Sequence, residues 1–390
     1  MNNELYPSWI ELDKEAFEKN ITFLQDYVGQ DVVFSSVIKG NAYGHGIKYF
    51  VPLAEECGVR HFSVFSSDEA RQATRASNHE ESHIMIMGMI SNGALGWAIE
   101  RDVSFFIFEL NRLKVAAQEA KRIGKPARVH LHLETGMNRL GLEREEFDEA
   151  VEIIKKNREE LQVDGICTHY AGAESVGNYV RIQEQIDNFK SYCDWFREEG
   201  IEAQHFHSAC SASALNYPET IMDMVRIGIS QYGFWPNRET YMNFVKKHPD
   251  INKEYKDPLK RVLSWKSHIM STKKVPAGEF VGYGNTYLTS RDEIIASVPI
   301  GYSHGFGRNL TNVGIVLVNG KRAPVAGLVN MNLLTIDVTD IPDVGKGDEV
   351  VIIGEQGEQQ ITVSSFSNMR NNLNYEVLVQ IPQTLPRHVV

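Results

Sequence analysis

Eight short apolar runs alternate with helix-patterned stretches in this 390-residue chain, and that alternation restricts the fold more than any other feature. The runs lie at 32–38, 62–65, 84–87, 105–108, 129–133, 163–167, 204–207 and 224–226. They are enriched in β-branched and aromatic residues and read as buried strands. Stretches 113–123, 145–156 and 182–200 between them are helix-like. Eight such alternations over about 230 residues match the count and size of a (β/α)8 barrel. A doubly wound open sheet is the alternative, but it would want Gly-x-Gly-x-x-Gly after its first strand, and residues 40–46 lack it. Ahead of the barrel pattern, residues 9–13 alternate like a half-buried strand. Phe17, Ile21, Leu24 and Val28 then place one apolar residue per turn on a helix face.

Near residue 240 the texture changes. Residues 243–260 are polar and read as a connection. Short strands follow at 262–271, 294–299, 315–318, 334–338, 349–353 and 360–363, with a tight-hairpin signal at Val318-Asn319-Gly320-Lys321. The expected organisation is an α/β barrel domain over 1–240 and a mostly-β domain over 241–390, with the opening strand free to pack on the second. A net charge of −11 without a basic run argues against nucleic acid or an anionic membrane as partner. No run approaches the ~18 apolar residues of a membrane span, and residues 1–7 carry no leader-like pattern. Cys57, Cys167, Cys193 and Cys210 are widely spaced, which fits free thiols in a reducing cytoplasm and no metal site.

In a barrel, chemistry collects at the C-terminal ends of the strands. Those positions here hold Lys39, then Glu134 through Arg139, then His169, then Ser208 through Ser211, then Arg226-Ile227-Gly228-Ile229. Any one of them could be a solvated loop residue. Together they place a lysine opposite a phosphate site, with Ser211 and the amides of Gly228 and Ile229 suited to bind an anion. Pyridoxal 5′-phosphate, which forms a Schiff base with lysine, fits that pair of features. A phosphosugar isomerase or aldolase would use much the same parts, and spacing alone does not separate them.

The segment Val37-Ile38-Lys39-Gly40-Asn41-Ala42-Tyr43-Gly44-His45-Gly46 closely resembles the cofactor-lysine signature of alanine racemases, the fold-type III pyridoxal-phosphate enzymes. Further family motifs are matched in order: Thr135-Gly136-Met137-Asn138-Arg139-Leu140-Gly141, Thr168-His169-Tyr170-Ala171 and the run from Val225 to Gly233. In the second domain Val281-Gly282-Tyr283-Gly284, the run from Gly301 to Gly305, the run from Gly327 to Asn332 and Asn374-Tyr375-Glu376-Val377 do the same. The resemblance implies a homodimer that racemises alanine through an external aldimine, in a two-base mechanism. Lys39 is then the base on one face of the α-carbon and the partner subunit's Tyr283 acts on the other. It also implies that His169 and Arg226 connect to that tyrosine, with Arg226 at the pyridine nitrogen. On the same resemblance Tyr43, Ser211, Gly228, Ile229 and Tyr375 would hold the phosphate. Arg139 and the partner subunit's Met331 hold the substrate carboxylate. D-alanine is a cell-wall precursor in the family.

Several positions depart from the family pattern. Many relatives have a carbamylated lysine where this chain has His132, so Arg139 is expected to be oriented by a neutral histidine, a water or an anion. The usual Asp of that motif is Glu134, and the usual Asn before the strand-7 serine is Cys210. Gly282, His304, Asn330 and Asn332 replace Ser, Asp, Cys and Asp. These last changes remove acidic or small polar groups near the expected substrate entrance and open an alternative, a racemase of other or more amino acids such as serine, lysine or arginine. A fold-type III decarboxylase and a non-catalytic cofactor carrier are further alternatives. Tyr283 and Tyr375 argue against the carrier.

Overall fold

The computed structural model describes residues 6–248, 257–370 and 373–390. The chain forms two compact units. One comprises Glu15–Lys39 and Phe50–Lys260, the other Met1–Lys14, Gly40–Tyr49 and Arg261–Val390.

Numbered along the chain, strand β1 (Ser8–Leu12) belongs to the second unit. Strands β2 (Val33–Val37), β3 (His61–Val64), β4 (His83–Ile86), β5 (Ser104–Ile107), β6 (Ala127–His132), β7 (Leu161–Cys167), β8 (His205–His207) and β9 (Met224–Ile227) make the first. They pair in parallel in the order β8-β7-β6-β5-β4-β3-β2-β9. The two ends of that order meet where Cys210 bridges Arg226 and the Arg226 amide donates to Ala209 O at 2.8 Å. The expected eight-stranded barrel is therefore present. Its outer helices bury one face each: Leu113, Ala116, Ala117 and Ala120 in Leu110–Ile123, and Phe147, Ala150, Val151 and Ile154 in Phe147–Lys156.

This unit runs further than the expected boundary at 240. Helix Arg238–Lys247 buries Phe244 against Phe23, Tyr27 and Trp235. At Lys260 the backbone is clamped to helix Lys14–Val28: the Lys260 amide donates to Asn20 Oδ1 and Asn20 Nδ2 donates back to Lys260 O, both at 2.7 Å. Aromatic packing and a reciprocal hydrogen-bond pair thus carry the chain to 260. Of the polar connection expected over 243–260, residues 249–256 lie outside the described ones.

The second unit contains β10 (Leu263–His268), β11 (Ser271–Val275), β12 (Glu293–Val298), β13 (Ile315–Val318), β14 (Lys321–Pro324), β15 (Leu334–Asp337), β16 (Glu349–Gln356), β17 (Gln359–Ile361) and β18 (Arg387–Val389). One sheet runs β14-β13-β16-β10-β1-β18 with β17 on β16, and a second runs β11-β12-β15. The hairpin signal closes β13 on β14, with Val318 facing Lys321. Strand β1 lies between β10 and β18, with Ile10 facing Trp265 on one side and Arg387 on the other.

Residues 40–43 form a left-handed turn. The φ angles of Gly40, Asn41, Ala42 and Tyr43 are 63°, 55°, 53° and 50°. Each non-glycine residue there costs roughly 1–2 kcal/mol, so the surrounding structure has to hold it. Gly44 N donates to Gly40 O at 3.0 Å, Gly46 N to Asn41 O at 2.8 Å, and Ile47 N to Asn41 Oδ1 at 3.0 Å. His45 Nδ1 donates to the Ala42 and Tyr43 carbonyls at 3.0 Å each, and Arg387 donates to Gly44 O at 2.8 Å. Gly44 (φ +80°) lies so near helix Asn374–Val379 that a Cβ would fall 2.0 Å from Leu378 O. Gly44→Ala should therefore lower unfolding stability by about 3 kcal/mol or more, because dihedral strain and a backbone clash add. Gly58→Ala, at φ +85° but in open space, should lose only about 1 kcal/mol. Denaturant midpoints of the two variants check the contrast.

Candidate active site

Lys39 lies two residues beyond β2, and the end of that strand is held from β9's loop. Val37 O accepts from Gln231 Nε2 at 3.0 Å and from the Tyr232 hydroxyl at 2.9 Å. Ser36 Oγ donates to Gln231 Oε1 at 2.6 Å, and Ile38 N to Ser63 O at 2.8 Å. Sequence reasoning assigned no role to Gln231 or Tyr232. The available signal was a pair of polar side chains in an otherwise apolar run, and both are fully buried. Lys39 itself keeps solvent contact. Its pKa is nevertheless lowered, first by desolvation among its neighbours and then by the positive charge of Arg139, with Arg226 adding and Cys210 and Glu69 opposing. An amine in that field gives up its proton more readily than an ordinary lysine.

Arg226, on β9, is buried. Its guanidinium donates to Thr168 O at 2.6 Å, His207 O at 3.1 Å, Ser208 O at 3.3 Å and the ring Nδ1 of His207. Desolvation lowers its proton affinity from the ordinary arginine value. All four acceptors are neutral, and among the described residues no carboxylate pairs with it. His169 retains some exposed surface, yet its pKa is pulled to about 3 by desolvation and then by Arg226, Arg139, Lys39 and His132. It is a neutral imidazole at pH 7. The barrel unit thus gathers Lys39, Arg139, His169 and Arg226 into one electrostatic neighbourhood.

Ser211 begins helix Ser211–Asn216, and its Oγ accepts from Gly228 N at 2.9 Å. Gly228 precedes the short turn Ile229–Tyr232. Serine, glycine and isoleucine of the expected anion site are therefore contiguous, with the serine hydroxyl hydrogen left to donate elsewhere.

The loop carrying Arg139 is organised by Glu134. The Gly136 and Met137 amides each donate to Glu134 Oε1 at 2.6 Å, and the Arg139 amide donates to Oε2 at 3.2 Å. Desolvation would raise this carboxyl, but the amides of Asn138, Gly136, Arg139 and Met137 outweigh it and hold it below 4.5. His132 is buried against Phe106, ring centroids 5.5 Å apart, and its pKa is brought to about 3 by desolvation, Arg226 and Arg139 against Glu134. Its Nδ1 has no hydrogen-bond partner among the described residues.

In the second unit the two tyrosines expected at the phosphate come together, with Tyr43 and Tyr375 ring centroids 6.0 Å apart. Tyr283 is 73% exposed and Met331 56%. Phe280, Leu288 and Tyr302 near them in sequence are also exposed. Ser303 N and Oγ both donate to Met331 O, at 3.0 and 2.7 Å, and Asn332 Nδ2 donates to Ser303 Oγ at 2.8 Å.

Residues 12–236 match the alanine racemase N-terminal domain and residues 262–389 the alanine racemase C-terminal domain. An alanine racemase of Leptospira interrogans is 34% identical over 387 residues, 99% of this chain and 97% of that protein. One from Halothermothrix orenii is 34% identical over 392 residues, 98% of this chain and 96% of the relative. Among solved structures, a Clostridium difficile alanine racemase superposes with a TM-score of 0.88 at 28% identity, covering 99% of this chain and 96% of the other. The Bacillus anthracis alanine racemase with bound L-Ala-P gives 0.85 at 30% identity, covering 98% and 95%.

The Glu134 cradle has a pH signature. A carboxyl held below its ordinary 4.5 in the fold stabilises fully above that value, and the contribution is lost as pH falls through the lowered one. Glu134→Gln should therefore be less stable than wild type at pH 6–7 by about 1–2 kcal/mol, with the gap closing as pH falls below 4.5. Urea midpoints across pH 3–7 test this; a pH-independent gap would contradict it.

Proposed function

The chain belongs to the alanine racemase family, and from that premise we propose that it interconverts L- and D-alanine with pyridoxal 5′-phosphate, as a homodimer of the cytoplasm supplying a cell-wall precursor. Among the described residues no helix is long and apolar enough to cross a membrane. The observation that carries the reading is the setting of Lys39: an amine of lowered proton affinity in the same field as Arg139, Arg226 and His169.

The residues suit the cofactor. Lys39 is the amine for its aldehyde. Ser211 with the amides at Gly228 and Ile229 would hold its phosphate. Arg226 satisfies only neutral acceptors, so it can meet a pyridine nitrogen without an intervening carboxylate. Pyridoxal phosphate, when bound, withdraws electrons from the substrate α-carbon and so acidifies its C–H bond.

The protein's own groups then move one proton. Lys39 Nζ takes it from, or returns it to, one face of the α-carbon. The hydroxyl of the partner subunit's Tyr283 serves the other face. Inversion requires both, since a single base returns the proton to the side it left. Arginine does not release its proton at neutral pH, so Arg226 would donate to the ring nitrogen and leave the ring uncharged. His169, neutral, can relay a hydrogen bond toward the tyrosine. Arg139 and the backbone of the partner subunit's Met331 would orient the substrate carboxylate. The exposure of Tyr283, Met331, Phe280, Leu288 and Tyr302 supports a partner surface there.

A broader substrate range is the second reading, favoured by the neutral network around Asn332 and His304. Racemisation rates over L-alanine, serine, lysine and arginine decide: a preference for alanine upholds the first reading, and equal rates uphold the second. Lys39→Ala should lose the bound cofactor's visible absorbance and activity. Tyr283→Phe should lose racemisation by at least about a hundredfold, while solvent deuterium still enters the α-position from one face. Full racemisation by that variant would defeat the two-base assignment, and release of carbon dioxide would point to a decarboxylase. Because a neutral imidazole forms no stable carbamate, removing dissolved carbon dioxide should leave the rate within about twofold of its starting value.

A further inference from the structure

Arg226 is the inner end of a hydrogen-bonded chain that crosses the barrel core. His207 Nε2 lies 3.0 Å from His130 Nδ1, and His130 Nε2 lies 3.2 Å from Ser104 Oγ. The same Ser104 Oγ lies 3.0 Å from His83 Nε2, and His83 Nδ1 lies 3.0 Å from a guanidinium nitrogen of Arg128. Arg128 Nε in turn lies 2.7 Å from Asp164. Arg128, Asp164, His83 and His130 line a cavity of about 460 Å³ in the barrel unit.

Donor and acceptor roles fix the ring protons of this chain. Arginine only donates. His207 Nδ1 therefore accepts from Arg226, which leaves the His207 proton on Nε2, where it is donated to His130 Nδ1. The His130 proton is then on Nε2 and is donated to Ser104 Oγ. From the other end, His83 Nδ1 accepts from Arg128, so its proton is on Nε2 and is also donated to Ser104 Oγ. The two arms converge on the two lone pairs of one hydroxyl. All three rings are neutral in this scheme, as their lowered proton affinities require: desolvation is the first cause for each, followed for His207 by Arg226 and for His83 by Arg128. The contact between His130 and His207 also has a space requirement. A Cβ on Gly165 would fall 2.3 Å from His130 Nδ1 and 2.9 Å from His207 Nε2.

We infer that His130 is a positioning residue for Arg226: by accepting the Nε2 proton of His207 it holds that ring in the tautomer whose Nδ1 lone pair receives the arginine. Without an acceptor at Nε2, the His207 proton can move to Nδ1, where it opposes an Arg226 N–H, and the guanidinium loses one of its neutral anchors. The inference rests on the reading of Arg226 as the partner of the pyridine nitrogen, and its first readout is independent of that reading.

The test starts with the cofactor-free wild-type protein carrying 15N-histidine. Long-range 15N–1H correlation should place the protons of His207 and His130 on Nε2; either proton on Nδ1 overturns the inference. His130→Leu should then mix the His207 tautomers, shift the visible absorption of the bound cofactor and lower kcat by roughly tenfold or more. KM should change less than kcat. His130→Asn, whose Oδ1 can accept in place of Nδ1, should restore the wild-type tautomer and most of the rate. Gly165→Ala, which forces the two rings apart, should behave like His130→Leu. A wild-type tautomer, spectrum and kcat in His130→Leu would overturn the inference. Arg226→Lys separates the two claims: if it alters spectrum and rate while His130→Leu does not, the positioning role fails and the reading of Arg226 stands. If neither variant alters them, the reading of Arg226 fails as well.

Discussion

A guanidinium buried in a barrel core is the constraint on which the site depends. Arg226 cannot shed its proton at any physiological pH, and an unpaired buried charge is costly. The usual remedy is a carboxylate. Here the fold supplies three carbonyl oxygens and one imidazole lone pair instead. That choice governs the composition around it. Parallel barrel strands normally read as near-continuous apolar runs, yet Ser104, His130 and His207 are buried within them. Each polar side chain admitted to satisfy the arginine needs a partner in turn, and the network extends until it reaches Arg128 and Asp164. A carboxylate beside Arg226 would have closed the network sooner, but it would also have neutralised the positive field that lowers the proton affinities of Lys39 and His169.

The two sides of the lysine are secured by different means. Before Lys39, strand β2 ends in a carbonyl that accepts two side-chain hydrogen bonds, from Gln231 and Tyr232. After it, three successive non-glycine residues adopt left-handed angles, a conformation that persists only where the surroundings over-determine it. Asn41 contributes its own side chain to that turn, His45 caps two of its carbonyls, and Arg387 anchors the next. Arg387, on the C-terminal strand, is desolvated there, which lowers its proton affinity to about 10.

Much of this was legible in the sequence, for reasons that differ by element. The eight barrel strands are visible because parallel strands buried on both faces concentrate β-branched and aromatic residues between helical stretches. The hairpin at Asn319-Gly320 is visible because few residue pairs accept its dihedrals. Strand β1 reads as a strand from alternation alone, but its neighbours β10 and β18 lie some 250 or more residues away, and no local pattern encodes that pairing. The extension of the first unit past 240 is not legible because Phe244 is the one buried apolar residue of its helix, and its aromatic partners are scattered along the chain. The left-handed turn is not legible, because Asn-Ala-Tyr carries no left-handed signal beyond its asparagine. Lys39, Arg139 and Arg226 stand out as charges at strand ends. Gln231 and Glu134 hold backbone, and a residue with that task looks like any other polar side chain until the amides it meets are known.

The changes at the second unit's loops are best understood as a single change. His304 accepts the Gly301 amide through Nδ1 at 3.2 Å, which requires its proton on Nε2 and a neutral ring. Desolvation lowers its proton affinity in the same direction. Asn332 donates to Ser303 Oγ, and Ser303 donates to the carbonyl of Met331. Asn330 O accepts the Tyr302 amide at 3.0 Å. Of the four departures in this unit, His304 and Asn332 by their side chains and Asn330 by its carbonyl thus belong to one uncharged hydrogen-bonded loop around Met331. An aspartate restored at 304 would keep an acceptor for the Gly301 amide. One at 332 would lose the N–H that Ser303 receives and place a carboxylate opposite the Met331 carbonyl's own donor. The positions are coupled by shared partners, so their effects on which amino acid is admitted should be non-additive. The neutral character of the loop is then a property of the set rather than of any one residue.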